Sequence, residues 1–271
     1  MQRREGAGRA EARWRRAALR ARAVLRRVVR RRADPTSAMT VTAQLDDEER
    51  AMVERCRPHT LVSPERLVAT ADAVAHVVRR GIPGALLECG VWRGGSVLAM
   101  VLTLQRLGVD DRDVYLFDTF TGMTAPGAED TSAFHPPALR TFERARASGR
   151  RAWEGLFNEE VFGLEQVREL LHGTGYPPER LHFVVGDVLE TLPGRAPDRL
   201  AVVRLDTDWY ASTKHEMEHL YPRLSEGGVL IIDDYGHWRG SRKAVDEYLE
   251  ATGEPLLLAR TDYAGRMAVK A

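Results

Sequence analysis

Two acidic clusters follow apolar runs in the second half of the chain. Residues 201–206, AVVRLD, lead into Asp206, Thr207 and Asp208, and residues 227–234, GGVLIIDD, end on Asp233 and Asp234. Short apolar runs of this kind read as buried strands of a parallel sheet. Neighbouring parallel strands bring their ends to one rim, so these carboxylates converge and repel one another. A hard divalent cation relieves the repulsion, and Mg²⁺ accepts carboxylates together with water and substrate oxygens. Two solvated acidic loops are the bland alternative. The Asp233-Asp234 pair directly after a wholly apolar strand weighs against it. A cation held by Asp206, Asp233 and Asp234 would lower the pKa of a hydroxyl on a bound vicinal diol. Asp208 is the preferred base for that proton, being near the ligands without needing to join them. His237 is the second candidate, with an ordinary pKa suited to the role, although a lone loop histidine is more often structural.

A second constellation lies earlier, at residues 85–96, ALLECGVWRGGS. An apolar run stops at Glu88 and breaks into a loop with glycines at 90, 94 and 95. A dinucleotide fingerprint wants glycine two residues after the first, where Trp92 stands. A triphosphate loop wants lysine where Ser96 stands. Glu88 opposes a pyrophosphate but suits a cationic head, such as the amino group and sulfonium of S-adenosylmethionine. Asp118 ends the next strand, where an acid can accept both hydroxyls of a ribose. Asp187 ends the one after, near where an adenine amino group would sit. The helix N-terminus at Gly94–Ser96 offers N–H groups to a carboxylate. Trp92, Arg93 and Thr119 flank these positions and complete the candidate cofactor set of Glu88, Gly90, Trp92, Arg93, Ser96, Asp118, Thr119 and Asp187.

The elements that must position these residues alternate strand and helix. Strands are expected at 85–88, 114–118, 181–187, 201–206 and 227–234, with two closing strands in PLLLART and RMAVKA joined by a turn at 262–265. Helices are expected at 45–57, from Ser63-Pro64-Glu65 to about residue 80, at 95–107, at 212–224 with Ser212 as cap, and at 241–252. This is an α/β, doubly wound, mostly parallel sheet covered on both faces, with a C-terminal antiparallel hairpin. Residues 119 to about 180 break the alternation and read as a lid-like insertion with one helical stretch near FGLEQVRELLHG. Phe120, Met123, Phe134, Trp153 and Phe157 within it serve as pocket or as lid core, lid core being preferred for most.

The charge is divided unevenly. Residues 1–32 hold 13 arginines against Glu5 and Glu11, while the remainder holds 27 basic against 37 acidic residues. An acidic body is a poor match for a phosphate backbone, so no nucleic acid is expected. No apolar run approaches the roughly 20 residues of a membrane span. The arm's Trp14, Ala18, Ala21, Leu25 and Val28 recur at helical spacing. It could therefore lie on an anionic membrane or a partner. Its composition is also that of a transit peptide. The preferred reading is a loosely ordered extension over 1–38, or sequence upstream of a start at Met39. Residues 39–84 then supply N-terminal helices, and 85–271 the main domain. Cys56 and Cys89 fit no metal spacing, and a reducing cytoplasm is the expected compartment.

The stretches VSPERL, RRGIPGALLECGVWRGGS, LFDTFTGM and RLDTDWYASTKHEMEHLYPRLSEGGVLIIDDYGHWRGSRKAVDEY resemble the macrocin and mycinamicin O-methyltransferase family, over residues from about 60 to 250. The resemblance implies a class I methyltransferase fold, Rossmann-like with a seven-stranded sheet. It implies Mg²⁺- and S-adenosylmethionine-dependent methylation of a sugar hydroxyl, typically on a deoxysugar of a macrolide or other glycosylated natural product. It puts metal ligands at Asp206, Asp233 and Asp234, a base at Asp208, and cofactor contacts at Glu88, Gly90, Ser96, Asp118 and Asp187. It also implies a small-molecule glycoside acceptor and a homo-oligomer. The arginine-rich arm is not expected to be part of the family pattern. The rival readings are the same fold acting on a catechol-like diol or a glycan, and a non-catalytic cofactor binder.

Overall fold

The computed structural model describes residues 44–157 and 162–271. The expectations for the basic arm, residues 1–38, fall outside them. Residues 46–271 form one compact unit.

Helix α1, Asp47–Cys56, opens with a capping box: Asp46 and Glu49 each accept the other's backbone N–H. This satisfies two of the donors that a helix start leaves open. Helix α2, Pro64–Arg79, starts with Ser63 accepting from the Arg66 N–H and with proline in the first turn, where its missing N–H costs nothing. Strand β1, Ala85–Cys89, is buried along its length, and α3, Gly95–Arg106, follows it with nine buried residues. The chain continues through β2 (Val114–Asp118), α4 (Ala138–Ala147), α5 (Leu164–His172), β3 (Leu181–Val185) and the short α6 (Val188–Thr191). It ends with β4 (Leu200–Leu205), α7 (Tyr210–Leu220), β5 (Leu224–Ile232), α8 (Arg239–Thr252), β6 (Ala259–Arg260) and β7 (Arg266–Val269).

The seven strands lie in the order β3-β2-β1-β4-β5-β7-β6, all parallel except β7. The order reverses between β1 and β4, so the loops after these two strands diverge and open a crevice at their carboxyl ends. Leu87, Cys89, Val203, Leu205, Leu230 and Ile232 face one way, into a core shared with Met217 and Leu220 of α7 and Val245 of α8. The alternate residues, among them Glu88 and Arg204, face the other way, towards the side that α2 covers.

Two local expectations change. Ser212 does not cap α7. The helix starts at Tyr210, and the Tyr210 N–H is taken by the carboxylate of Asp130 at 2.8 Å, a partner 80 residues away. A cap supplied from so far along the chain leaves no local signal. The 119–180 segment holds two helices, α4 and α5, where one was expected.

Candidate active site

Glu88 and Arg204 are direct neighbours on β1 and β4. Arg204 is fully buried, and its guanidinium donates to Glu88, to Asp206 (2.6 Å) and to Asp233. A second guanidinium, on Arg66 of α2, donates to Asp233 and pairs with Asp262 at 3.0 Å. Neither arginine was singled out from the sequence. Arg204 sits inside an apolar strand run, and only knowledge of the strand register sets it opposite Glu88. The repulsion expected among converging acids is therefore relieved in part by the chain's own cations.

The structure does bring the acids together. One carboxylate oxygen from each of Asp206, Asp233 and Asp234 lies within 4.8 Å of the others. Asp234 Oδ2 is buried with no hydrogen-bond partner, which fits a cation ligand, since an unpaired buried carboxylate oxygen is costly. Burial, with Asp208 and Asp206 beside it, pushes the Asp234 carboxyl well above the usual carboxylate range. Burial raises Asp233 to about 7 despite Arg204. A divalent ion among these groups would reverse that logic and hold them ionised.

Asp208 stands at the edge of this cluster. Its φ of 66° puts a non-glycine residue in the left-handed region, a local cost often found at functional sites. Its Oδ1 accepts from the Trp238 indole at 2.7 Å. Burial, then the charge of Asp206, raises its pKa well above the usual carboxylate range. His237 lies three residues past Asp234, and its Nδ1 shares a 3.0 Å hydrogen bond with the Tyr263 hydroxyl. Burial, with His135 and Arg66 nearby, lowers His237 to about 4, so the ring is neutral at physiological pH.

The loop after β1, the candidate donor loop, is built by close approach. Gly90 has φ 81°, and a Cβ there would meet the Asp206 carbonyl oxygen at 1.9 Å. Only glycine lets the loop after β1 lie against the loop after β4. Trp92 also has a positive φ, 48°. Asp118 Oδ2 accepts from the N–H groups of Val91 (2.7 Å) and Trp92 (2.9 Å), and Oδ1 from Phe120 (2.7 Å). Much of its accepting capacity thus shapes the loop, a role that the sequence did not suggest. Thr119 donates to the Gly122 carbonyl at 2.7 Å. Asp187 caps α6 through the Leu189 N–H at 2.9 Å. Ser96 is buried in the first turn of α3, and the Arg93 guanidinium lies 5.4 Å from the Trp92 ring centre. Glu88 Oε2 and Arg93 Nε are buried without partners. Burial raises Glu88 to about 8. A free acceptor oxygen at Glu88 fits an ammonium donor.

Aromatic rings run outward from Asp208. Trp238 meets Trp209 edge-on at 5.0 Å, and His237 meets Trp238 at 5.2 Å. Phe134 stacks on His237 at 5.3 Å, and Tyr263 meets Phe134 edge-on at 5.5 Å. Of the five aromatic or apolar residues assigned mainly to lid core, Phe120 and Phe157 are buried and Met123 and Trp153 partly so. Phe134 departs from that expectation, being 60% exposed.

Residues 6–267 match the profile of the macrocin O-methyltransferase family (TylF). The match begins inside the arginine-rich arm, contrary to the expectation that the arm lies outside the family pattern. Over 190 residues the chain is 38% identical to a Streptomyces olivaceus protein, the 8-demethyl-8-(2,3-dimethoxy-alpha-L-rhamnosyl)-tetracenomycin-C 4'-O-methyltransferase, covering 70% of this chain and 67% of that one. It is 33% identical over 198 residues to the mycinamicin III 3''-O-methyltransferase of Micromonospora griseorubida, with 72% of each chain covered. Among solved structures, the O-methyltransferase NovP superposes with a TM-score of 0.66 at 31% identity, over 79% of this chain and 82% of that chain. The calicheamicin methyltransferase CalS11, at 21% identity and a TM-score of 0.57 over 83% and 93% of the two chains, shares the fold. The chain belongs to the macrocin O-methyltransferase family and is an S-adenosylmethionine-dependent O-methyltransferase.

Proposed function

We propose that the chain methylates a hydroxyl on a deoxysugar of a glycosylated natural product, with Mg²⁺ bound at Asp206, Asp233 and Asp234. The observation that carries this reading is the approach of these three carboxylates to one another beside Asp208, against the donor loop. The named relatives are a rhamnosyl-tetracenomycin-C 4'-O-methyltransferase and a mycinamicin III 3''-O-methyltransferase, which supports the acceptor class.

When bound, the cofactor supplies an electrophilic methyl group and the cation a Lewis acid that acidifies a neighbouring hydroxyl. The chain's own residues do the rest. Glu88 holds the cofactor's ammonium through its free oxygen. Asp208, its carboxyl fixed by the Trp238 indole, takes the hydroxyl proton. Once ionised it is a strong acceptor, because its surroundings favour the protonated form. The Gly90–Asp206 contact fixes the distance between the two loops, and holding nucleophile and methyl group in line removes much of the entropic barrier.

The test is chelation. S-adenosylmethionine binding, followed by calorimetry, is expected to survive EDTA, whereas turnover is not. Asp234→Ala is expected to abolish turnover and spare cofactor binding. Turnover that persists in EDTA removes the metal from the mechanism. Mg²⁺ is the ion to restore, because softer ions would also bind His215, Glu218 and His219 on α7, whose donor atoms lie within 4.8 Å of one another.

A further inference from the structure

Helix α7 turns one face to the loop after β4 and another to solvent. Residues 215–219 read HEMEH. Two histidines four apart on a helix share a face. With a glutamate directly after the first, the spacing is that of zinc-dependent proteases, in which this glutamate is the general base. The geometry rules that role out here. Glu216 is fully buried, accepts from the Thr207 hydroxyl at 3.0 Å and lies beside the Cys89 thiol. It is turned about 100° round the helix from His215, into the core, and does not meet water on a surface ion.

The outer face keeps the ligands. His215, Glu218 and His219 each offer one donor atom, and these lie within 4.8 Å of one another. The two rings meet edge-on with centres 4.3 Å apart. His215 is also oriented from behind. Its Nε2 lies 3.3 Å from the Leu192 carbonyl, an oxygen that can only accept. The ring therefore carries its proton on Nε2 and keeps the Nδ1 lone pair for a ligand bond. Metal-binding histidines are commonly fixed in this way by a carbonyl on the second nitrogen. Glu218 pairs with Lys214 at 3.3 Å, both side chains being exposed. Such a pair contributes little and does not hold the carboxylate against a divalent ion.

Two imidazoles and one carboxylate suit Zn²⁺, with three protein ligands and one position open. The all-oxygen rim of Asp206, Asp233 and Asp234 suits a hard ion instead. We propose that His215, Glu218 and His219 form a second metal site, for Zn²⁺, and that the ion braces the turn of α7 that Glu216 fastens to Thr207. Thr207 stands between Asp206 and Asp208, and Leu192 ends α6, the helix that Asp187 caps. An ion joining His215 to His219 stiffens the turn that links these two parts. The two sites share no residue, so the inference stands independently of Mg²⁺ at the rim.

The experiment uses the full chain without a histidine tag, stripped by a chelator and kept in excess Mg²⁺. Calorimetric titration with Zn²⁺ is expected to show one site with a dissociation constant in the micromolar range or below. His215→Ala/His219→Ala is expected to weaken it about 100-fold or more, and Glu218→Gln about tenfold. Zn²⁺ is also expected to slow amide hydrogen exchange across residues 210–220 in the native chain and to leave it unchanged in the double variant. Unaltered S-adenosylmethionine binding checks that the variants fold, and Glu218→Gln, at an exposed position, carries the comparison if the double variant does not. Zn²⁺ binding that these variants leave as it was, or no binding in the micromolar range, would overturn the site. Binding without slower exchange in α7 would overturn the brace.

Discussion

Arg204 holds the two halves of the site together. It is buried, and it touches Glu88, the acid proposed to face the methyl donor, and Asp206 and Asp233, two of the three proposed cation ligands. Arg204→Met would leave Glu88 and Asp233 buried without that partner. The expected cost is about 3–5 kcal/mol, read as a fall in the urea midpoint, with Arg204→Met/Glu88→Gln recovering part of it. Asp208 yields a different kind of variant. Asparagine tolerates the left-handed conformation better than most residues, so Asp208→Asn is expected to keep the fold and lose turnover by about 10²- to 10⁴-fold. Turnover near that of the native chain would transfer the role of base to His237. The acids themselves were legible, because charge at the end of an apolar strand is conspicuous. Arg204 and Arg66 were not, because their meaning lies in the register of β1 with β4 and in the docking of α2.

At the scale of elements, α7 carries a consequence for pH. Glu216 on its buried face accepts from Thr207 at 3.0 and 3.1 Å and lies beside the Cys89 thiol. Burial raises its pKa from 4.5 to about 8. The folded chain therefore binds this proton more tightly than the unfolded one. The stability linked to it is complete below about pH 4.5 and is lost as pH rises through about 8. Glu216→Gln is expected to melt higher than the native chain at pH 8.5, and the gap should close on going to pH 5. A gap independent of pH would mean that Glu216 does not titrate there. Helix starts marked by local chemistry, such as Ser63-Pro64, were readable from the sequence. The start of α7 was not, since Asp130 supplies its cap from the lid segment.

For the whole molecule, the strand–helix alternation and the closing antiparallel pair were legible from the periodicity of apolar runs. The sheet order was not, because periodicity carries no information on which strands are neighbours. All candidate cofactor contacts, from Glu88 to Asp187, belong to the unit 46–271. A chain starting at residue 44 is therefore expected to bind S-adenosylmethionine with unchanged affinity by calorimetric titration, and lost binding would bring the arm into the site. Among the described residues, no helix is long and apolar enough to cross a membrane.

The contact between Gly90 and the Asp206 carbonyl also bears on how the enzyme can diversify. No side chain can be introduced at that seam without parting the two loops, so the middle of the cleft is closed to change. Libraries that seek new acceptors are therefore expected to tolerate change elsewhere but not at Gly90, where any Cβ would meet the Asp206 backbone.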